Sequence, residues 1–150
     1  NLKIIGNGGS YKSILETFKQ VKNVEFTGWL DYQEIIKLRP KFDLAIAPYK
    51  NITNYKLNIP NKIIDYLSLG LPLLCPLDGC VKRLIIEDKI GIYYKNQDPN
   101  DLITILKKFV LDKNSIFEMS KNALETYNKK FKYETVYNNL EKRIISLIEN

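Results

Sequence analysis

The chain has 150 residues, of which 45% are hydrophobic and 27% charged, and a formal net charge of +6. That is enough for one domain with a sizeable core and too apolar for long disordered stretches. The charge falls by thirds as +3, +1 and +2, so no basic block points to nucleic acid.

The absence of histidine removes Ser-His-Asp and Cys-His catalysis and the commonest metal ligand. Cys75 and Cys80 fit neither C-x-x-C nor a zinc pattern and read as two free thiols; no metal site and no cofactor are expected. No run of 18 apolar residues is present, and the first residues have no signal-peptide character.

Leu2 to Ile5 reads as a short strand, followed by Gly6-Asn7-Gly8-Gly9. A helix is predicted from Tyr11 to Gln20, capped by Ser10, with Ile14, Phe18 and Val21 on one face. Val24 to Thr27 is a second strand closed by Gly28. Asp31 caps the next helix, which carries Ile35, Ile36 and Leu38 and ends near Pro40.

Leu44 to Ala47 is apolar on both faces, as a buried parallel strand is. Pro48 ends it, and Tyr49 to Asn58 reads as a polar loop. Pro60 opens a helix that Gly70 closes. Leu73 to Cys75 is a strand, Asp78-Gly79 a turn, Val81 to Glu87 a helix, and Ile92 to Tyr94 the fifth strand.

From Asp98 the chain reads as helical. Leu102, Ile105, Leu106 and Phe109 keep helical spacing, a second helix spans Ser115 to Tyr127, and a third spans Tyr133 to Glu149. The third carries a stripe of Val136, Tyr137, Leu140, Ile144 and Leu147. These stripes are expected to be core.

Strands alternating with helices predict an α/β fold, a Rossmann-like parallel sheet flanked by helices with a helical C-terminal end. Ligands of such sheets bind at the carboxyl ends of the strands. That selects four loops: Gly6–Ser10, Gly28–Asp31, Pro48–Pro60 and Pro76–Val81. Glycines let backbone N–H groups approach an anion, although a tight turn without a ligand explains Gly6 to Gly9 as well.

The segment Pro60 to Pro72 is more specific. It puts Lys62 and Asp65 three residues apart near a helix start. A carboxylate there can accept both hydroxyls of a ribose, and an ammonium with helix N-terminal amides can hold a diphosphate. Spacing alone is equally met by a surface Lys–Asp pair.

Three motifs carry a resemblance. They are Ile4-Ile5-Gly6-Asn7-Gly8, Val24-Glu25-Phe26-Thr27-Gly28, and the pattern P-x-K-x-x-D-Y-x-x-x-G-x-P from Pro60 to Pro72. In these the chain resembles the C-terminal, donor-binding domain of retaining family-four glycosyltransferases of GT-B fold. Gly91-Ile92, Asp98-Pro99 and Leu102 also fit, and the resemblance runs from Leu2 to about Ile148.

The resemblance implies that Asp65, where the family usually has glutamate, binds the nucleotide ribose. It puts Gly6, Asn7, Gly8 and Gly9 with Gly28, Trp29 and Leu30 by the phosphates and base. Tyr49, Asn58 and Asn61 fall near the donor sugar and the helix start. Lys62 is the candidate for stabilising charge on the departing diphosphate.

The implied partners are a UDP- or GDP-linked sugar and a glycan or lipid-linked acceptor held by a domain outside this chain. Cytoplasmic residence follows, with contact at the inner face of the membrane permitted by the diffuse positive charge. Two departures stand out: Leu57 occupies the place of a second, sugar-binding glutamate, and the family's first strand-helix unit, which supplies a central strand and a diphosphate clamp, has no counterpart here. The chain is accordingly expected to be a fragment, inactive alone. A GT-B-like sugar-nucleotide epimerase and a non-catalytic module of the same fold are the alternatives.

Overall fold

The computed structural model describes residues 1–149. Its five strands are all parallel to their neighbours, and helices connect successive strands. The chain divides into two compact units, Asn1–Lys41 and Phe42 onward. Hydrogen bonds group the strands the same way, into a sheet of two and a sheet of three.

In the first unit, β1 (Leu2–Ile5) pairs with β2 (Val24–Gly28), and the register shifts between Ile4 and Ile5 so that Ile5 faces Gly28. Helix α1 (Tyr11–Phe18) ends two residues before the predicted Gln20. Ser10 occupies its N-cap position but makes no side-chain cap bond, so the predicted cap is not formed. Asp31 does cap α2 (Tyr32–Leu38). Its carboxylate accepts from the Glu34 N–H while Glu34 reaches back to the Asp31 N–H, a reciprocal capping box. Tyr11 packs edge-on against Phe26, but Ile14, Phe18 and Val21 remain exposed.

The second unit holds the core. β3 (Ala45–Ile46), β4 (Leu73–Cys75) and β5 (Gly91–Tyr93) pair in that order. β4 is buried throughout and its neighbours β3 and β5 are buried or half-buried, in keeping with segments that carry no polar alternation. Gly91 packs so tightly on β4 that a Cβ would lie 1.9 Å from the Leu73 carbonyl oxygen.

Helix α4 (Asn61–Ser68) buries Ile63 and Leu67, an i, i+4 pair, and leaves Asn61, Lys62 and Asp65 outside. Pro60 is its N-cap, one position earlier than the favoured first helical turn. Gly70 ends it: the Gly70 N–H donates to Leu67 and the Leu71 N–H to Tyr66, a Schellman arrangement. Helix α5 (Cys80–Asp88) adds Val81, Leu84 and Ile85 to the core.

Helices α6 (Pro99–Leu111) and α7 (Lys113–Thr126) are capped by Asp98 and Asp112. In α6, Leu102, Ile105, Leu106 and Phe109 turn inward as expected. α7 passes into a π-helical turn (Tyr127–Phe131) not foreseen from the sequence, and Tyr127 and Phe131 pack against the core there.

The last helix, α8 (Tyr133–Ile148), corrects the sequence reading. Its stripe is regular but is not core: Val136, Tyr137, Leu140, Ile144 and Leu147 are 42–69% exposed. Helical periodicity shows that a face is apolar; it carries no information on whether that face finds a surface within the same chain.

Candidate functional site

In the first unit the turns after β1 and β2 are stitched together by a 2.6 Å hydrogen bond from the Gly6 N–H to the Gly28 carbonyl. Gly28 has φ +72°, a left-handed backbone that L side chains rarely adopt. At Gly8 and Gly9 the backbone is ordinary and a Cβ would meet nothing within 4 Å. Neither strain nor protein packing therefore explains these two glycines, and the space before them is open. Asn7 is exposed with them, Trp29 is 67% exposed, and Leu30 is half-buried.

In the second unit, Tyr49 lies just beyond the carboxyl end of β3, its N–H bonded to the Ala47 carbonyl at 2.9 Å. Its ring meets Tyr55 edge-on at 5.1 Å. Burial raises the pKa of the Tyr49 phenol, with smaller contributions from Tyr55, Cys75 and the nearby charge of Asp65. Tyr66, on α4, is pushed up to about 12 by burial and then by Tyr49 and Asp65. Tyr49, Asp65 and Tyr66 are thus close enough for their charges to be felt by one another.

The Asp65 carboxylate is open to solvent on one side, yet the surrounding protein raises its pKa; burial is the sole cause. Among the described residues no hydrogen bond or ion pair engages it. The surface pair with Lys62 that spacing alone allows is not formed; Lys62 is exposed in the first turn of α4 beside Asn61. A carboxylate without a partner retains its full capacity to accept hydrogen bonds from a ligand.

Asn58 sits differently from expectation. Its side-chain N–H donates to the Asn54 carbonyl, closing a one-turn helix, α3 (Thr53–Lys56), inside what the sequence presented as a plain loop. Its amide donor is therefore committed to its own segment, while Leu57 beside it is 73% exposed.

Sequence reasoning missed a second cluster. The Asn51 side chain accepts from the Asp78 N–H at 2.7 Å and donates to the Pro76 carbonyl at 3.1 Å. The Asp78 carboxylate accepts from the Tyr93 hydroxyl at 2.9 Å and from Lys82 at 3.4 Å, and Lys56 stands 4.0 Å away. The Tyr93 bond lowers the Asp78 pKa most; burial, the next largest effect, opposes it, and Lys82 and Lys56 add to the lowering. Nothing in the sequence distinguishes Asn51 from any other loop asparagine; only the Asp78-Gly79 turn was visible.

Both cysteines are free; Cys75 is buried, and burial raises its thiol to about 11. Among the described residues no cluster of acidic, cysteine or histidine side chains could hold a metal, and no helix is long and apolar enough to cross a membrane.

Parallel strands, helical connections and candidate loops at the carboxyl ends of the strands define a Rossmann-like α/β protein. The chain belongs to the family described as "Glycosyl transferases group 1", which matches residues 1–112. It is 23% identical over 128 residues to the UDP-glycosyltransferase TURAN of Arabidopsis thaliana, covering 82% of this chain and 27% of that protein.

Among solved structures, it resembles a sucrose-phosphate synthase from Thermosynechococcus elongatus, with a TM-score of 0.77, 16% identity, and coverage of 99% of this chain and 38% of that one. It also resembles Anabaena HepE in complex with UDP-glucose, with a TM-score of 0.70, 17% identity, and coverage of 96% and 40%. These likenesses show the GT-B type of α/β fold. The chain thus spans between about a quarter and two fifths of the proteins it matches.

Proposed function

We propose that this chain is the donor-binding part of a longer glycosyltransferase. It binds a UDP- or GDP-linked sugar for transfer to a glycan or lipid-linked acceptor held by another part of the protein, in cell-surface polysaccharide synthesis. The observation that carries the reading is Asp65: an exposed carboxylate on α4 with no protein hydrogen bond or ion pair among the described residues, whose charge reaches Tyr49 just past the carboxyl end of β3. Family membership and the UDP-glucose complex of a protein of the same fold support it.

In this reading the two ribose hydroxyls donate to Asp65. Lys62 and the first amides of α4 face the diphosphate, and Tyr49 and the Asn58 carbonyl oxygen border the sugar. Retaining transfer makes charge on the departing diphosphate the main demand, which fixed amides and a cation meet without a histidine. Cytoplasmic residence, with weak attraction to anionic lipid, fits a net charge of +6.

Calorimetric titration of UDP, GDP and their glucose conjugates into the protein tests the reading. Binding of one nucleotide sugar with a dissociation constant in the micromolar to low millimolar range is expected. No detectable affinity for any of the four would overturn it in favour of a non-catalytic module.

A further inference from the structure

Two of the loops at the carboxyl edge, Pro48–Pro60 and Pro76–Val81, are locked to each other at several points. Asn51 bridges across the gap, its carbonyl oxygen taking the Asp78 N–H at 2.7 Å and its amide donating to the Pro76 carbonyl at 3.1 Å. One side chain thus satisfies two backbone groups of a segment 25 to 27 residues away. On the far side of α3 the backbones touch. Gly79, at φ +77°, lies so close to Lys56 that a Cβ would stand 2.1 Å from the Lys56 carbonyl oxygen.

The Asp78 carboxylate completes the junction. It lies 4.0 Å from Lys56 of the first loop and is itself fixed by the Tyr93 hydroxyl from β5 and by Lys82, whose ammonium lies 4.0 Å from the centre of the Tyr93 ring. The segment between Asn51 and Lys56 is therefore held at both ends by the turn after β4. That segment begins two residues after Tyr49 and contains Tyr55, which packs on the Tyr49 ring.

We propose that Asn51 is a positioning residue of the donor site: its bridge to the Asp78 turn holds Tyr49 and the Asn51–Asn58 segment at the sugar end of the site, next to Asp65. The inference rests on the donor-binding reading above. Asn51 makes no ligand contact in it. Asp65 is carried by α4, whose place is set by Ile63 and Leu67 in the core and not by this loop. Loss of the bridge therefore affects recognition of the sugar and spares recognition of the nucleotide.

The test compares UDP with UDP-glucose, or the guanine pair if that is what the protein binds, on the unsubstituted protein, Asn51→Ala and Gly79→Ala. Hydrogen exchange at the Asp78 amide and across residues 51–58 is followed in parallel. For Asn51→Ala the expected result is faster exchange at both places, a loss of about tenfold or more in affinity for the nucleotide sugar, and less than about threefold change for the free nucleotide. Gly79→Ala, which forces the same two loops apart at Lys56, should repeat the pattern; if it does not fold, Asn51→Ala decides alone.

Equal losses for both ligands, or faster exchange with no change in binding, overturns the positioning role. Unchanged exchange overturns the bridge itself. An unsubstituted protein that binds neither ligand overturns the donor reading and the positioning role with it, and the exchange data then still report whether Asn51 holds the loop.

Discussion

The Gly6 N–H donates to the Gly28 carbonyl at 2.6 Å, tying the turn after β1 to the turn after β2. The bond depends on the left-handed backbone of Gly28, at φ +72°. Replacing Gly28 with alanine should cost ~1–2 kcal/mol in urea denaturation, because a Cβ disfavours that conformation. Gly8→Ala has no such cost: its backbone is ordinary and its surroundings open, so stability should stay within about 0.5 kcal/mol. If the loop approaches a phosphate, nucleotide affinity should nevertheless fall in Gly8→Ala, since the new methyl group occupies the approach.

Asp65→Asn separates a ligand contact from a structural one. Ribose hydroxyls donating to a carboxylate make charge-assisted bonds, so nucleotide affinity should fall about tenfold or more. Melting temperature should hold or rise slightly, because the carboxylate has no protein partner to lose. The pH dependence follows from the direction of the shift. A carboxyl whose folded pKa is raised binds its proton more tightly when folded, so its contribution to stability is present at low pH and lost as pH rises through the folded value. Nucleotide affinity should run the opposite way, strengthening as Asp65 ionises. Flat binding between pH 4 and 7 would count against Asp65 as the ribose acceptor.

Asp78 should behave with the reverse sign. Its pKa is held down chiefly by the Tyr93 hydroxyl, so its stabilisation is present above the unfolded carboxylate value and lost as pH falls through the folded one. Tyr93→Phe removes the main cause. Carbon-13 carboxyl NMR should then show the Asp78 midpoint moving up, with acid unfolding beginning at higher pH.

The two thiols should differ in reactivity. Cys75 is buried with its pKa near 11, whereas Cys80 is partly open in the first turn of α5. Reaction with a thiol reagent at pH 8 should label Cys80 in the folded protein and both cysteines only in denaturant. Two thiols lost under non-reducing conditions would show a disulfide that the structure does not contain.

Leu67 and Leu140 are both leucines on apolar helical stripes, yet truncation should separate them. Leu67 is fully buried and Leu140 is 51% exposed. Leu67→Ala should cost ~2–5 kcal/mol, and Leu140→Ala about 0.5 kcal/mol or less. A large loss at Leu140 in a longer form of the protein would show that the α8 face is covered there.

What the sequence determined by itself was local. The Asp31 helix cap, the Gly70 helix stop and the apolar β4 run all act over a few residues, so pattern was enough to place them. The Pro60–Pro72 motif likewise put Lys62 and Asp65 three residues apart near the start of α4. Tertiary structure decided whatever joined distant segments. The Asn51–Asp78 bond spans 27 residues, and neither residue type nor spacing encodes it. That the Lys62–Asp65 pair allowed by spacing is not formed was likewise a matter of side-chain placement that the sequence does not encode. Whether the α8 stripe would be core depended on an opposing surface, which periodicity cannot supply. Hydrogen-bonding and helical periods are properties of a segment; burial and coupling belong to the packed chain.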